Sequence, residues 1–147
     1  MKKHTTPHRL DEAALIAHLE SQPDIVAAYL FGSMAQGRAT PHSDIDLAVL
    51  LNIEDDMERF HRRLALMGAL DRFADREVDV IVLNDAPPLL CHQVLKTGRL
   101  LYEADRAARI EFEVRAGKIY ADLKPMYDLF NQALVRELKE GGLGGRP

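Results

Sequence analysis

The apolar residues fall first into short dense runs and then into longer helical stripes. Ile25 to Phe31 reads Ile-Val-Ala-Ala-Tyr-Leu-Phe and stops at Gly32. A run that short and that apolar predicts a strand covered on both faces. Asp44 to Leu51 predicts a second strand. Its alternation puts Asp44 and Asp46 on one face, and the apolar stretch from Leu47 to Leu51 makes it central. Glu77 to Leu83 predicts a third strand, with one charge, Asp79, inside an otherwise apolar stretch. Arg99 to Tyr102 predicts a short edge strand.

Between the strands the period changes to that of helices. Asp11 is placed to cap a helix whose stripe is Ala13, Ala14, Leu15, Ile16 and Leu19, and Gln22-Pro23-Asp24 ends it. Asn52 or Asp55 is placed to cap a helix over about 56–75, with Met57, Phe60, Leu64, Met67 and Phe73 recurring at helical spacing and Arg59, Arg62, Arg63 and Arg72 on other faces. Pro87 and Pro88 open a third helix with Leu89, Leu90, Val94 and Leu95 inward, and Gly98 closes it. A helical region over about 105–140 carries the stripe Phe112, Ile119, Leu123, Met126, Phe130, Leu134 and Leu138. Pro125 is expected to kink or divide it. The stripe is longer than one small sheet can cover, which leaves room for a partner or a homodimer surface. A short helix is expected to begin at Met34 to Gly37.

The sum is an α+β fold: a mixed central sheet with helices mainly on one face and a long C-terminal helical region. One domain is expected over residues 1–140, with its core at about 10–103 and its C-terminal helical region at about 105–140, followed by a disordered glycine-rich tail at 141–147. The 147 residues suffice for one domain with a real core. A net charge of −4 does not favour direct nucleic-acid binding. One cysteine, Cys91, excludes a disulfide framework within the chain and fits a reducing cytoplasm, with the thiol as a small buried hydrophobe. No apolar run approaches the roughly 20 residues of a membrane span, and the basic N-terminus leads into no apolar signal segment.

The candidate chemistry sits between the first two strands. Two carboxylates two apart on one strand share a face at about 6–7 Å. They repel each other, and a divalent cation removes that repulsion. Asp79 on a neighbouring strand would complete a cage for two metal ions and is also a candidate general base. Gly32 lets the backbone approach a ligand, and free N–H groups in such a turn bind phosphate oxygens. Ser33 adds a hydroxyl, Arg38 in the connection a guanidinium, and Ser43 a further hydroxyl. A nucleoside triphosphate with Mg²⁺ satisfies both halves, with attack at the α-phosphorus and release of pyrophosphate.

Gly32-Ser33, then Asp44-Ile45-Asp46, then Asp79, together with the flanks Tyr29-Leu30-Phe31 and Leu47-Ala48-Val49, resemble the minimal nucleotidyltransferases of the DNA polymerase β-like superfamily. The resemblance covers about residues 10–103. One departure is that relatives often carry an arginine before the loop glycine, where this chain has Gln36 and places Arg38 after it. The small size and the C-terminal stripe look most like the antitoxin branch paired with HEPN toxins. That resemblance implies ATP as donor, two Mg²⁺ ions held by Asp44, Asp46 and Asp79, a triphosphate held by Gly32 and Ser33, and a tyrosine hydroxyl of a HEPN ribonuclease toxin as acceptor.

Two other functions remain open on the sequence: a nucleotidyltransferase acting on a small molecule such as an aminoglycoside, and an antitoxin that acts by occlusion without chemistry. Simpler roles for single residues also stand. Asp79 is a structural acid if it pairs with an arginine such as Arg76 or Arg99. Ser43 is a turn cap, Arg38 a solvated loop residue, and His42, His61 and His92 are bystanders without metal-ligand spacing.

Overall fold

Two of the four strands are apolar on both sides, and the sheet they centre is covered on both sides. The structure, a computed structural model, describes residues 10–32 and 45–140. The elements are α1 (Glu12–Glu20), β1 (Ile25–Phe31), β2 (Ile45–Leu51), α2 (Asp56–Leu70), β3 (Val78–Val82), α3 (Pro88–Thr97), β4 (Arg99–Glu103) and α4 (Arg106–Lys139). The sheet order is β3-β2-β1-β4. β1 pairs antiparallel with β2 and β4, while β2 and β3 run parallel across α2. The mixed sheet is therefore as expected, with β4 and β3 at its edges.

The placement of helices corrects the expectation of one covered face. Ile45, Leu47, Val49, Val78 and Val80 face Leu15 and Leu19 of α1 and Leu66 and Leu70 of α2. Ala27, Tyr29, Ala48 and Leu50 face Cys91 and Val94 of α3, with Phe112 and Ala116 of α4 packed against them. Two layers are needed because alternation sends apolar side chains both ways from β1 and β2.

Aspartate caps start three of the helices. Asp11, Asp55 and Asp105 each accept a backbone N–H from Ala14, Glu58 and Ala108, at 3.1, 2.8 and 3.0 Å. Each satisfies one orphan donor of the first turn.

The facing of α2 differs from its expected stripe. Leu66 and Leu70 are buried, and Met67 and Phe73 pack beside them, but Met57, Phe60 and Leu64 are exposed. The inward side of the helix's first half is held by arginines. Arg59 donates to Asp85 and to the carbonyls of Ile53 and Glu54, and Arg62 donates to Asp24 and Gln22. Their apolar stems cover the sheet margin while their heads reach polar partners at its rim. In α3, Leu89 likewise turns outward, while Cys91 and Val94 are buried.

α4 is one helix of 34 residues, with Pro125 inside it. The expected division at Pro125 does not occur. Proline removes one hydrogen bond at the Ala121 carbonyl, and both residues are exposed, so water can serve that carbonyl. Of the expected stripe only Phe112 and Leu123 are half-buried; Ile119, Met126, Phe130, Leu134 and Leu138 are exposed. The helix is held at its start. The Tyr29 hydroxyl donates to Glu113 at 2.5 Å, and Arg109 donates to Glu113 and Glu103 at 2.7 and 2.6 Å. Burial, then the Glu113 carboxylate, raises the Tyr29 pKa, so the phenol keeps its proton.

Candidate active site

The topology gathers three chain points at one end of the sheet. β1 ends there, and antiparallel β2 begins there. β3 runs parallel to β2 and begins there too. Gly32 follows the last residue of β1, Asp46 is the second residue of β2, and Asp79 is the second residue of β3.

Asp46 and Asp79 are register partners on the parallel pair, so their side chains leave the same face of the sheet. Adjacent strands lie about 4.8 Å apart, so the two carboxylates leave neighbouring positions of the sheet. On the other side, Phe31 of β1 is the register partner of Asp46. Gly32 has φ +78°, in the left-handed region that favours glycine, and a Cβ placed on it would lie 2.5 Å from Asp46 Oδ2. A side chain at position 32 would occupy the space of the carboxylate. Gly32, Asp46 and Asp79 thus lie at the same end of the sheet.

Ser33, Arg38, Ser43 and Asp44 lie outside the described residues, as do His42, the expected helix at Met34 to Gly37 and the tail at 141–147. Among the described residues no group of three or more histidine, cysteine, aspartate or glutamate side chains is placed to hold a metal ion. The two described carboxylates are hard oxygen donors, side by side and partly open to solvent, and that donor chemistry fits a divalent cation such as Mg²⁺.

Arg63 is the residue that sequence reasoning missed. Its guanidinium reaches Asp79 Oδ1 at 3.3 Å, and its Nε donates to the carbonyl of Val80 at 2.5 Å. Asp79 does pair with an arginine, as the structural-acid reading has it, but the arginine is Arg63; Arg76 contacts Asp75, and Arg99 contacts Glu12. The Arg63–Asp79 contact is long, and both side chains are partly exposed, 34% and 44%. Such a pair orients the carboxylate more than it stabilises the fold. No local pattern announces it, because the partners meet only when α2 folds back between two parallel strands.

Cys91 behaves as expected. It is buried against the Leu83 and Ala86 carbonyls, and burial raises its pKa. His92 stacks on Tyr120 with ring centroids 3.7 Å apart, which ties α3 to α4. No helix among the described residues is long and apolar enough to cross a membrane.

A glycine turn thus packs against one carboxylate, and a second carboxylate stands on the adjacent parallel strand. The family described as "Polymerase beta, Nucleotidyltransferase" matches residues 13–107, from α1 to the start of α4. The chain belongs to this nucleotidyltransferase family. It is 33% identical over 118 residues to the protein adenylyltransferase MntA of Shewanella oneidensis, which covers 79% of this chain and 81% of that one. Among solved structures, a toxin–antitoxin crystal structure with AMP-PNP superposes with a TM-score of 0.67 at 30% identity, covering 86% of this chain and 99% of that one. A tri-AMPylated Shewanella oneidensis HEPN toxin in complex with MNT antitoxin gives a TM-score of 0.61 at 28% identity, covering 85% of this chain and 96% of that one.

Proposed function

We propose that this protein is an antitoxin that transfers AMP from ATP to a tyrosine hydroxyl of a cognate HEPN ribonuclease toxin and so neutralises it. The carrying observation is the placement of Asp46 and Asp79 as register partners on one face, with the Gly32 backbone packed against Asp46. The protein acceptor is supported by the adenylyltransferase and toxin-complex relatives.

In this reading Asp44, Asp46 and Asp79 would hold two Mg²⁺ ions. The metal supplies charge neutralisation for the attacking and leaving oxygens. Gly32 and Ser33 present N–H and hydroxyl donors to the triphosphate, and Arg38 and Ser43 add contacts from the connection. Asp79 takes the phenolic proton as the tyrosine oxygen bonds to the α-phosphorus, and the bond to the β-phosphate oxygen breaks to release pyrophosphate. Arg63, in contact with Asp79 Oδ1, would set the orientation of that carboxylate.

The test is incubation with ATP labelled at the α-phosphate, Mg²⁺ and the cognate HEPN toxin. Label is expected on a toxin tyrosine with the wild type and to be lost with Asp46→Asn. A folded Asp44→Asn/Asp46→Asn variant that still protects cells from the toxin would establish occlusion instead. Label on an aminoglycoside but not on the toxin would establish a small-molecule enzyme.

A further inference from the structure

α2 has two apolar faces, and only one is covered. Leu66 and Leu70 enter the core, while Met57 and Phe60 stand 59% and 49% exposed on the opposite side of its first turns. Exposed apolar side chains grouped in this way mark an interaction surface. They line a groove of about 680 Å³ with Ile81 of β3 and Pro87 and Leu90 at the start of α3. The groove follows the outer edge of β3, between the helix layer of one sheet face and that of the other.

Two observations join this groove to the candidate active site. Arg63 lines it and also contacts Asp79. Ile81 lies two residues beyond Asp79 on the same strand and the same face, about 6–7 Å along. The groove therefore opens one side-chain step from the carboxylate. Its position also fits the direction of the reaction. The sheet order puts the glycine turn on β1, Asp46 on β2 and Asp79 on the β3 edge. The triphosphate side and the β3 side thus lie on opposite flanks of the carboxylate pair, and in-line displacement brings the attacking group in opposite the leaving group.

We propose that this groove docks the segment of the protein acceptor that carries the target hydroxyl. The proposal rests on the adenylyl-transfer reading above. The occupant is an extended apolar stretch that seats side chains against Met57, Phe60, Ile81 and Leu90 and delivers its tyrosine toward Asp79. Side-chain seating, rather than an added strand, holds it, because Arg63 already takes the outward carbonyl of Val80. Asp56 and Asp85 at the far rim favour a cationic residue at the distal end of the segment, with Asp85 already sharing its charge with Arg59.

The test compares wild type, Met57→Ser/Phe60→Ser and Leu64→Ser in labelled AMP transfer at varied concentrations of the cognate toxin and of ATP. Leu64 is exposed on the same helix and does not line the groove. The groove variant is expected to raise KM for the toxin about tenfold or more, as for apolar anchors of an interface, with KM for ATP and the melting temperature unchanged. Leu64→Ser is expected to match wild type. Unchanged toxin KM in the groove variant, with wild-type transfer intact, overturns this proposal alone. Absence of transfer by wild type overturns the adenylyl-transfer reading and this proposal with it. A groove variant that changes only the protein's own oligomer mass assigns the groove to a second copy and overturns the proposal.

Discussion

At position 32 two independent constraints meet. The backbone takes φ +78°, which costs an L-residue with a Cβ about 1–2 kcal/mol. The Cβ would also lie 2.5 Å from Asp46 Oδ2, so the carboxylate has to move. Gly32→Ala therefore separates strain from function. The melt is expected to report a loss of about 1–3 kcal/mol, while AMP transfer falls at least about a hundredfold, because an ångström-scale shift of a catalytic group is enough for that. Near-normal turnover in Gly32→Ala would mean that the place of Asp46 is not critical. Asp79 shows the same logic from the other side. Its spacing within an apolar strand made it legible, but its partner Arg63 was not. Arginines at 59, 62 and 63 look alike in the sequence, and only the crossover of α2 decides which one meets β3.

At the scale of elements, what could be read in the chain depended on how many faces each element buries. β1 and β2 are apolar on both sides, so their runs are unambiguous as strands, although the expectation of helices mainly on one face does not use what they imply. A helix with two apolar faces is ambiguous by construction. Met57, Phe60 and Leu64 form as regular a series as Leu66 and Leu70 do. Periodicity cannot say which series meets the sheet, and the arginine stems that cover the margin carry no hydrophobic signal. The assignment has a sharp test in stability. Leu66→Ala is expected to cost about 2–5 kcal/mol, as for a fully buried leucine. Leu64→Ala is expected to stay within about 0.5 kcal/mol, as for an exposed position. Chemical denaturation of the two variants side by side reads both, and equal losses would put the stripe back on the core.

At the scale of the whole molecule, the body and the end of α4 behave as different things. The sheet and its two helical layers bury the core, and α4 joins that body through its first half, at Ala108, Phe112, Glu113, Ala116 and Tyr120. At about 1.5 Å per residue the helix is about 50 Å long, so its second half runs past the sheet. From Asp128 to Glu140 every residue is exposed, including Leu129 and Phe130 at 68% and 67%. Helix segments of that length are marginal in water on propensity alone, and this one adds no buried contact to the fold. Ending the chain after Asp128 is therefore expected to leave the melting temperature within about 2–4 °C of the full-length value at low protein concentration, the shift of a surface-scale change in a domain this size. A drop well beyond that range, present only at concentrations where a second copy binds, would show that Leu129, Phe130 and Leu134 stabilise the protein through association rather than within one chain.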